Sequence, residues 1–134
     1  MRKVFIDKRL VGKVNVFRDR FHAGTLLAKF FKRPCLLAIP AGGVPVAKAM
    51  ADKLGVKVRL VIARKIKFPA DPEAGIGAVN LDGDIILNHE LLKLVKLSKE
   101  LIELKAKEAL KEAKEKAKLF EKYLIKDVRG KEVV

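Results

Sequence analysis

The stretch Cys35-Leu36-Leu37-Ala38-Ile39-Pro40-Ala41-Gly42-Gly43-Val44-Pro45 decides the fold of this 134-residue chain. Its first five residues are apolar, which predicts a buried strand, and a turn that contains proline and glycine follows. Apolar residues from Val44 to Leu54 then recur at helical spacing, so a helix is predicted to begin at about Val44. The stretch therefore predicts a strand, a glycine turn (residues 40–44) and a helix.

The glycine turn has the composition of an anion-binding turn. Gly42 and Gly43 lack a Cβ, so the backbone N–H groups beside them can approach a ligand closely. A helix that begins directly after the turn points the positive end of its dipole into it, which suits phosphate or pyrophosphate. Such turns also occur in α/β proteins simply to connect a strand to a helix, so the pattern alone leaves both roles open.

A second apolar run, residues 56–63, follows the helix and predicts another strand. A strand, a helix and a strand of these lengths form a βαβ unit, which has parallel strands and a right-handed crossover. Ligands of such sheets bind beyond the carboxyl ends of the strands. The glycine turn follows one strand and Arg64-Lys65 follow the next, so both are predicted to lie at one edge. Plain surface charges are the alternative for Arg64 and Lys65.

The remaining chain is predicted to be a loop, a hairpin and helices. Residues 64–75 contain two prolines and no periodicity, which predicts a loop. Asp82-Gly83 lies between two strand-like runs and predicts a hairpin. Ser98 is the predicted N-cap of a long helix that ends at about Leu124. Seven of its residues form one apolar stripe, which predicts close helix packing, within the chain or in a dimer: Ile102, Ala106, Ala109, Ala113, Ala117, Phe120 and Leu124.

Charge is concentrated near the two ends of the chain, whose formal net charge is +14. Residues 1–33 hold ten Lys or Arg and two Asp or Glu, and residues 93–126 hold eleven Lys and six Glu. A polyanionic partner such as RNA is one interpretation. The other is a solvated, ion-paired surface of a heat-adapted protein, because the chain has no Gln or Trp and many Lys and Glu.

Several classes of protein are disfavoured by the sequence. No apolar run reaches the roughly 18 residues that a membrane span needs, and the apolar run after Met1 is too short for a signal peptide. A single cysteine, Cys35, cannot form an internal disulfide. No spacing of His, Cys, Asp and Glu resembles a metal site, so none is predicted. We therefore expect a cytoplasmic protein without membrane contact.

Three blocks in order resemble the type I phosphoribosyltransferases, and most closely a poorly characterised branch of that superfamily. The first is Phe17-Arg18-Asp19-Arg20 with Ala23-Gly24, and the second runs from Ile39 to Ala47. The third is Arg64-Lys65-Ile66, with Pro69, Pro72-Glu73 and Ile76-Gly77-Ala78-Val79 after it. The resemblance covers the chain from Phe17 to Val134. It implies an α/β fold, with a parallel-sheet core, a small hood and a long α-helix in this chain.

The resemblance also implies an activity. The substrate would be 5-phosphoribosyl-1-pyrophosphate (PRPP) with Mg²⁺, from which a nitrogenous base or another nucleophile displaces pyrophosphate. Ala41, Gly42, Gly43 and Val44 match the pyrophosphate-binding loop, in which relatives often hold a non-proline cis peptide. Arg64 and Lys65 match basic residues that contact the pyrophosphate, and residues 66–75 match a mobile segment over the site. No catalytic residue is assigned.

The length of the chain predicts one domain over residues 1–134. Its parts are a basic N-terminal segment and helix (1–33), an α/β core with the pyrophosphate loop (34–88), a helical region (89–125) and the start of a strand (129–134). The family's signature, two adjacent acidic residues and a Gly/Thr-rich loop, would follow that strand, and this chain has no adjacent acidic pair. We therefore expect a C-terminally truncated core, incomplete alone, with a homodimer or a second chain supplying the rest. The alternative is a non-catalytic module on the same fold that binds RNA or another polyanion.

Overall fold

The computed structural model describes Val4 and residues 6–134, and its fold is α/β with a parallel sheet and a long helix, as predicted. The chain divides into two compact units. Unit 1 holds the residues up to Leu60 together with Ile125–Val134, and unit 2 holds Val61–Leu124. The single domain expected over residues 1–134 stays a prediction. Within the described residues, no helix has the length and apolar character that crossing a membrane requires.

Unit 1 contains the βαβ unit that the sequence predicts. Helix α1 (Arg20–Leu27) precedes strand β1 (Leu36–Ala38), helix α2 (Gly43–Leu54) and strand β2 (Val58–Leu60). The strands pair in parallel, and Gly55 ends α2 with a φ of 65°, which glycine adopts without a steric penalty. Burial of apolar side chains between α2 and the sheet stabilises this unit. The buried cluster consists of Ala28, Leu36, Met50 and Ala51.

The last residues of the chain pair with the opposite edge of β1. Cys35 forms a parallel bridge with Val133. Its N–H donates to the Glu132 carbonyl at 2.7 Å, and its carbonyl accepts from the Val134 N–H at 3.1 Å. The strand that residues 129–134 were predicted to begin is therefore present as a single bridge, and β1 is hydrogen-bonded along both of its edges.

Unit 2 is built on an antiparallel sheet of β3 (Ala63–Phe68), β4 (Asp71–Asn80) and β5 (Ile85–Leu87), in that order. The loop predicted over residues 64–75 is wrong, because these residues form most of the β3–β4 hairpin. Pro69 lies in the turn between the strands. Pro72 lies where the register is irregular, so its missing N–H removes no regular ladder bond. The hairpin predicted at Asp82-Gly83 is confirmed: it joins β4 to β5, and Gly83 has a φ of 90°.

Two helices complete unit 2. Helix α3 (His89–Leu94) is capped by the Asn88 side chain, and helix α4 spans Lys99–Leu119. The Ser98 hydroxyl caps α4 by accepting from the Leu101 N–H at 3.1 Å, as predicted. The helix ends at Leu119, before the predicted Leu124, and a 3₁₀ turn (Glu121–Tyr123) follows it. The alanines of the predicted stripe are buried, and they pack with apolar residues of unit 2: Ala106 and Ala109 with Ile66, Ile76 and Val79, and Ala113 and Ala117 with Ile62.

Candidate functional site

The glycine turn connects the end of β1 to the start of α2. The peptide bond between Pro40 and Ala41 is cis, as the resemblance implied for this loop. Two backbone bonds fold the turn back on itself. The Gly43 N–H donates to the Ile39 carbonyl and the Val44 N–H donates to the Ala41 carbonyl, each at 3.2 Å. The N–H groups of Gly43 and Val44 therefore fix the shape of the turn and are not available to a ligand.

The N–H groups of Ala41 and Gly42 have no hydrogen-bond partner among the residues that the structure describes. Both residues are exposed, and they directly precede the first turn of α2. Free N–H groups at a helix start carry the positive end of the helix dipole, so they favour an anion. Among the four predicted loop residues, these two supply the available donors.

Arg20, the first residue of α1, places a cation beside the glycine turn. Its Nε lies 3.8 Å and its Nη2 4.0 Å from the position that a Cβ on Gly42 would occupy. The guanidinium makes no hydrogen bond or ion pair with any residue in the described part of the chain. An unpaired guanidinium beside two free N–H groups forms a cluster of donors that suits the oxygens of a phosphate. We call Ala41, Gly42 and Arg20 the turn cluster.

Close packing of α1 on α2 positions Arg20. The Asp19 carboxylate caps α1 by accepting from the His22 N–H at 2.7 Å. One turn further on, Gly24 is buried so tightly that an added Cβ would lie 2.2 Å from the Val46 carbonyl oxygen. The absence of a side chain at Gly24 therefore lets the two helices approach each other. The sequence pattern did not identify Arg20 as a site residue, although it lies in the first block of the resemblance.

Arg64 and Lys65 lie in unit 2, inside β3 and not in a loop beyond the end of β2. The Arg64 Nη2 lies 2.6 Å from the Glu112 Oε2, and the Lys67 Nζ lies 3.0 Å from the Glu112 Oε1. The Lys65 ammonium donates to the Glu73 carbonyl. Both predicted cations thus have partners within unit 2, and their contact with pyrophosphate stays a prediction. The role of Glu112 as a shared partner was not predicted.

We expect Glu112 to make the stability of the folded protein vary with pH in the acid range. The Arg64 and Lys67 cations hold the pKa of its carboxyl below the ordinary value of 4.5. A depressed carboxyl pKa stabilises the folded state above pH 4.5, and this stabilisation is lost as the pH falls through the folded-state pKa. We expect Glu112→Gln to lower stability at pH 7 by less than about 1 kcal/mol, since both ion pairs are partly exposed.

The measurement is thermal denaturation at neutral pH and at about pH 3, where the difference between wild type and Glu112→Gln should shrink. Glu115→Gln is the control, because this carboxylate on the same helix forms no ion pair with the described residues. A difference between wild type and Glu112→Gln that stays constant across this pH range would contradict the prediction.

The described residues offer no group of three or more His, Cys, Asp or Glu side chains that could hold a metal ion. The side chains of the described residues therefore provide no cage for a resident Mg²⁺.

Comparisons with known proteins indicate which family this chain resembles. Two proteins of Mycobacterium tuberculosis are similar to the chain: "Putative phosphoribosyl transferase MT0597" from strain CDC 1551 / Oshkosh and "Putative phosphoribosyl transferase Rv0571c" from strain ATCC 25618 / H37Rv. Each is 30% identical over 112 residues, which cover 80% of this chain and 25% of the relative. These relatives support a phosphoribosyltransferase-like family. The chain spans about a quarter of the length of the curated relatives it matches.

A crystal structure of the protein TT1426 from Thermus thermophilus is similar in fold to this chain. It aligns with a TM-score of 0.67 and 32% sequence identity, over 87% of this chain and 58% of the other. This likeness agrees with the α/β fold with a parallel sheet and a long helix. No protein-family model matches the chain.

Proposed function

We propose that the glycine turn, through its residues Ala41 to Val44, binds the pyrophosphate group of PRPP. This binding serves the transfer of a phosphoribosyl group to a nitrogenous base. The observation that carries the proposal is the turn cluster, in which two free N–H groups and an unpaired guanidinium lie together at the start of α2. The names of the relatives support the same kind of chemistry.

The chemistry of the reaction makes use of such donors. Displacement of pyrophosphate from the anomeric carbon builds negative charge on the leaving group. Donors that are fixed before the reaction stabilise this charge without having to reorganise. In the proposal, the Ala41 and Gly42 N–H groups and the Arg20 guanidinium hold the departing pyrophosphate. Mg²⁺, bound to the phosphates of the substrate, would neutralise part of the same charge.

A pair of variants at Gly42 tests the turn. Gly42 has a φ of −62°, which the proline ring adopts, and its N–H is not used inside the fold. Gly42→Pro thus removes one donor without breaking an internal hydrogen bond, whereas Gly42→Ala keeps the donor and adds a methyl group. We expect Gly42→Pro to weaken pyrophosphate binding by roughly 10-fold or more, the usual cost of losing a charge-assisted hydrogen bond, and Gly42→Ala to weaken it much less.

The measurement is isothermal titration of the purified chain with pyrophosphate and with PRPP, each with and without Mg²⁺. Pyrophosphate binding that Gly42→Pro reduces and Gly42→Ala retains would support the proposed site. Absence of binding by either ligand would overturn it, and so would equal affinities of the two variants while their circular dichroism matches the wild type.

A further inference from the structure

Helix α4 carries a straight row of lysines on its exposed side. Lys107, Lys111, Lys114 and Lys118 follow one another at intervals of four, three and four residues, which puts them on one narrow face of the helix. All four are exposed. The row spans eleven residue steps, or roughly 16 Å, and its neighbouring cations are roughly 4.5–6 Å apart along the helix axis. We call these four residues the lysine row.

The lysine row lacks anionic partners within the described residues. None of its members has a hydrogen bond or an ion pair there, whereas Lys67 and Lys105, which lie elsewhere in unit 2, pair with Glu112 and Glu108. The row surrounds a shallow, open space of about 360 Å³ on this face of α4, and Leu110 and a single carboxylate, Glu115, are the other residues around it. Four neighbouring unpaired cations create a local field that attracts a polyanion.

The residues around the lysine row indicate which kind of polyanion it can bind. A helix that lies on an anionic membrane inserts an apolar face, but the alanine face of α4 is already buried within unit 2. None of the residues around this space is aromatic, so base stacking contributes nothing there and the contacts are to phosphates alone. A flexible single strand can lay successive phosphates along a straight row of cations. The row therefore suits the backbone of such a strand and does not read its sequence.

We propose that the lysine row binds the sugar–phosphate backbone of single-stranded nucleic acid, independently of base sequence. This site lies entirely on α4, so it does not depend on the function proposed for the glycine turn. Glu115 marks the edge of the site as the one opposing charge, and its removal should strengthen binding.

The test is the change in fluorescence anisotropy of a labelled oligouridylate of about 12 nucleotides, a length within the usual range of single-strand sites. Four contacts predict a slope of about −2.8 for the logarithm of the binding constant against that of the salt concentration. Binding should thus weaken by about 50-fold between 50 and 200 mM salt. A variant with Gln at all four positions should lose most of its affinity, with a flattened slope. Glu115→Gln should bind more tightly.

The matched control removes four positive charges from unit 1. It carries Gln at four exposed lysines that belong to unit 1, and Gln keeps helices stable nearly as well as Lys does. These lysines are Lys8, Lys13, Lys53 and Lys57. The control should keep its oligouridylate affinity within about threefold, less than the loss of a single charged contact. Both variants should keep the circular dichroism and the pyrophosphate affinity of the wild type.

Three results would overturn the proposal. One is an equal loss of oligouridylate binding in the row variant and the control, which would show an effect of net charge alone. Another is binding to an RNA duplex or to phosphatidylserine vesicles without binding to the single strand. The third is oligouridylate binding by the wild type that is insensitive to salt.

Discussion

Replacing Arg20 by Gln is expected to weaken pyrophosphate binding by about 10- to 100-fold, because a charge-assisted hydrogen bond contributes about 1.5–3 kcal/mol. Arg20 is the one guanidinium that the described structure places beside Gly42, and it has no hydrogen-bonding or ionic partner among the described residues. Its donors are therefore free for a ligand. Isothermal titration with pyrophosphate, with and without Mg²⁺, measures the effect.

Two further variants separate geometry from charge. Arg20→Lys keeps the positive charge but loses the planar fork that fits a phosphate, so an intermediate affinity is expected. Arg33→Gln removes an exposed positive charge elsewhere in unit 1, and we expect it to leave pyrophosphate binding within about twofold, as for a screened surface charge. Equal losses in Arg20→Gln and Arg33→Gln would show that only net charge matters, contrary to the prediction.

The second large effect is expected from Gly24→Ala, which should destabilise unit 1. The added Cβ would lie 2.2 Å from the Val46 carbonyl oxygen and 2.8 Å from the Ala49 Cβ. Backbone atoms of α2 cannot rotate away, so α1 must shift outward. Overpacking of this kind costs about 1–3 kcal/mol, which lowers the melting temperature of a chain of this length by roughly 5–10 °C. Because α1 carries Arg20, pyrophosphate binding should weaken as well.

Thermal denaturation followed by circular dichroism measures the stability change, and Gly43→Ala is its control. A Cβ on Gly43 would lie 4.0 Å from Ala38, an ordinary van der Waals distance, and alanine favours a helix more than glycine does. Gly43→Ala should therefore keep or raise the melting temperature. A melting temperature for Gly24→Ala at or above the wild-type value would contradict the close packing of α1 on α2.

The sequence patterns correctly predicted the helices, strands and turns that depend on interactions within a few residues. The apolar run ending at Ile39, the glycine turn and the helical spacing after Val44 each reflect forces within a few residues, and the structure confirms the parallel βαβ unit. The Ser98 cap and the alanine face of α4 have the same local origin. The β3–β4 hairpin was missed because its two prolines masked the strand signal, and they are tolerated because one lies in the turn and the other where the pairing is irregular.

The candidate site was predicted only in its local part. Ala41–Val44 could be read from the glycines and the following helix. The place of Arg20 depends on how closely α1 packs on α2, which the pattern of neither helix reveals. Glu112 lies far along the chain from Arg64 and Lys67, so its bonds to them could not be anticipated from helical spacing within α4. Contacts between elements that are remote in sequence were therefore the ones that escaped prediction.

Because β1 pairs with Val133, we expect the two units to fold in different ways. Unit 2 is one continuous segment, so its hairpins and α4 can form from neighbouring parts of the chain. Unit 1 is discontinuous, and the bridge between Cys35 and Val133 closes a loop that contains all of unit 2. Closing so long a loop costs more entropy than a local contact does. During synthesis, β1 and β2 emerge early, but the outer edge of β1 acquires its partner only when residues 132–134 have been made.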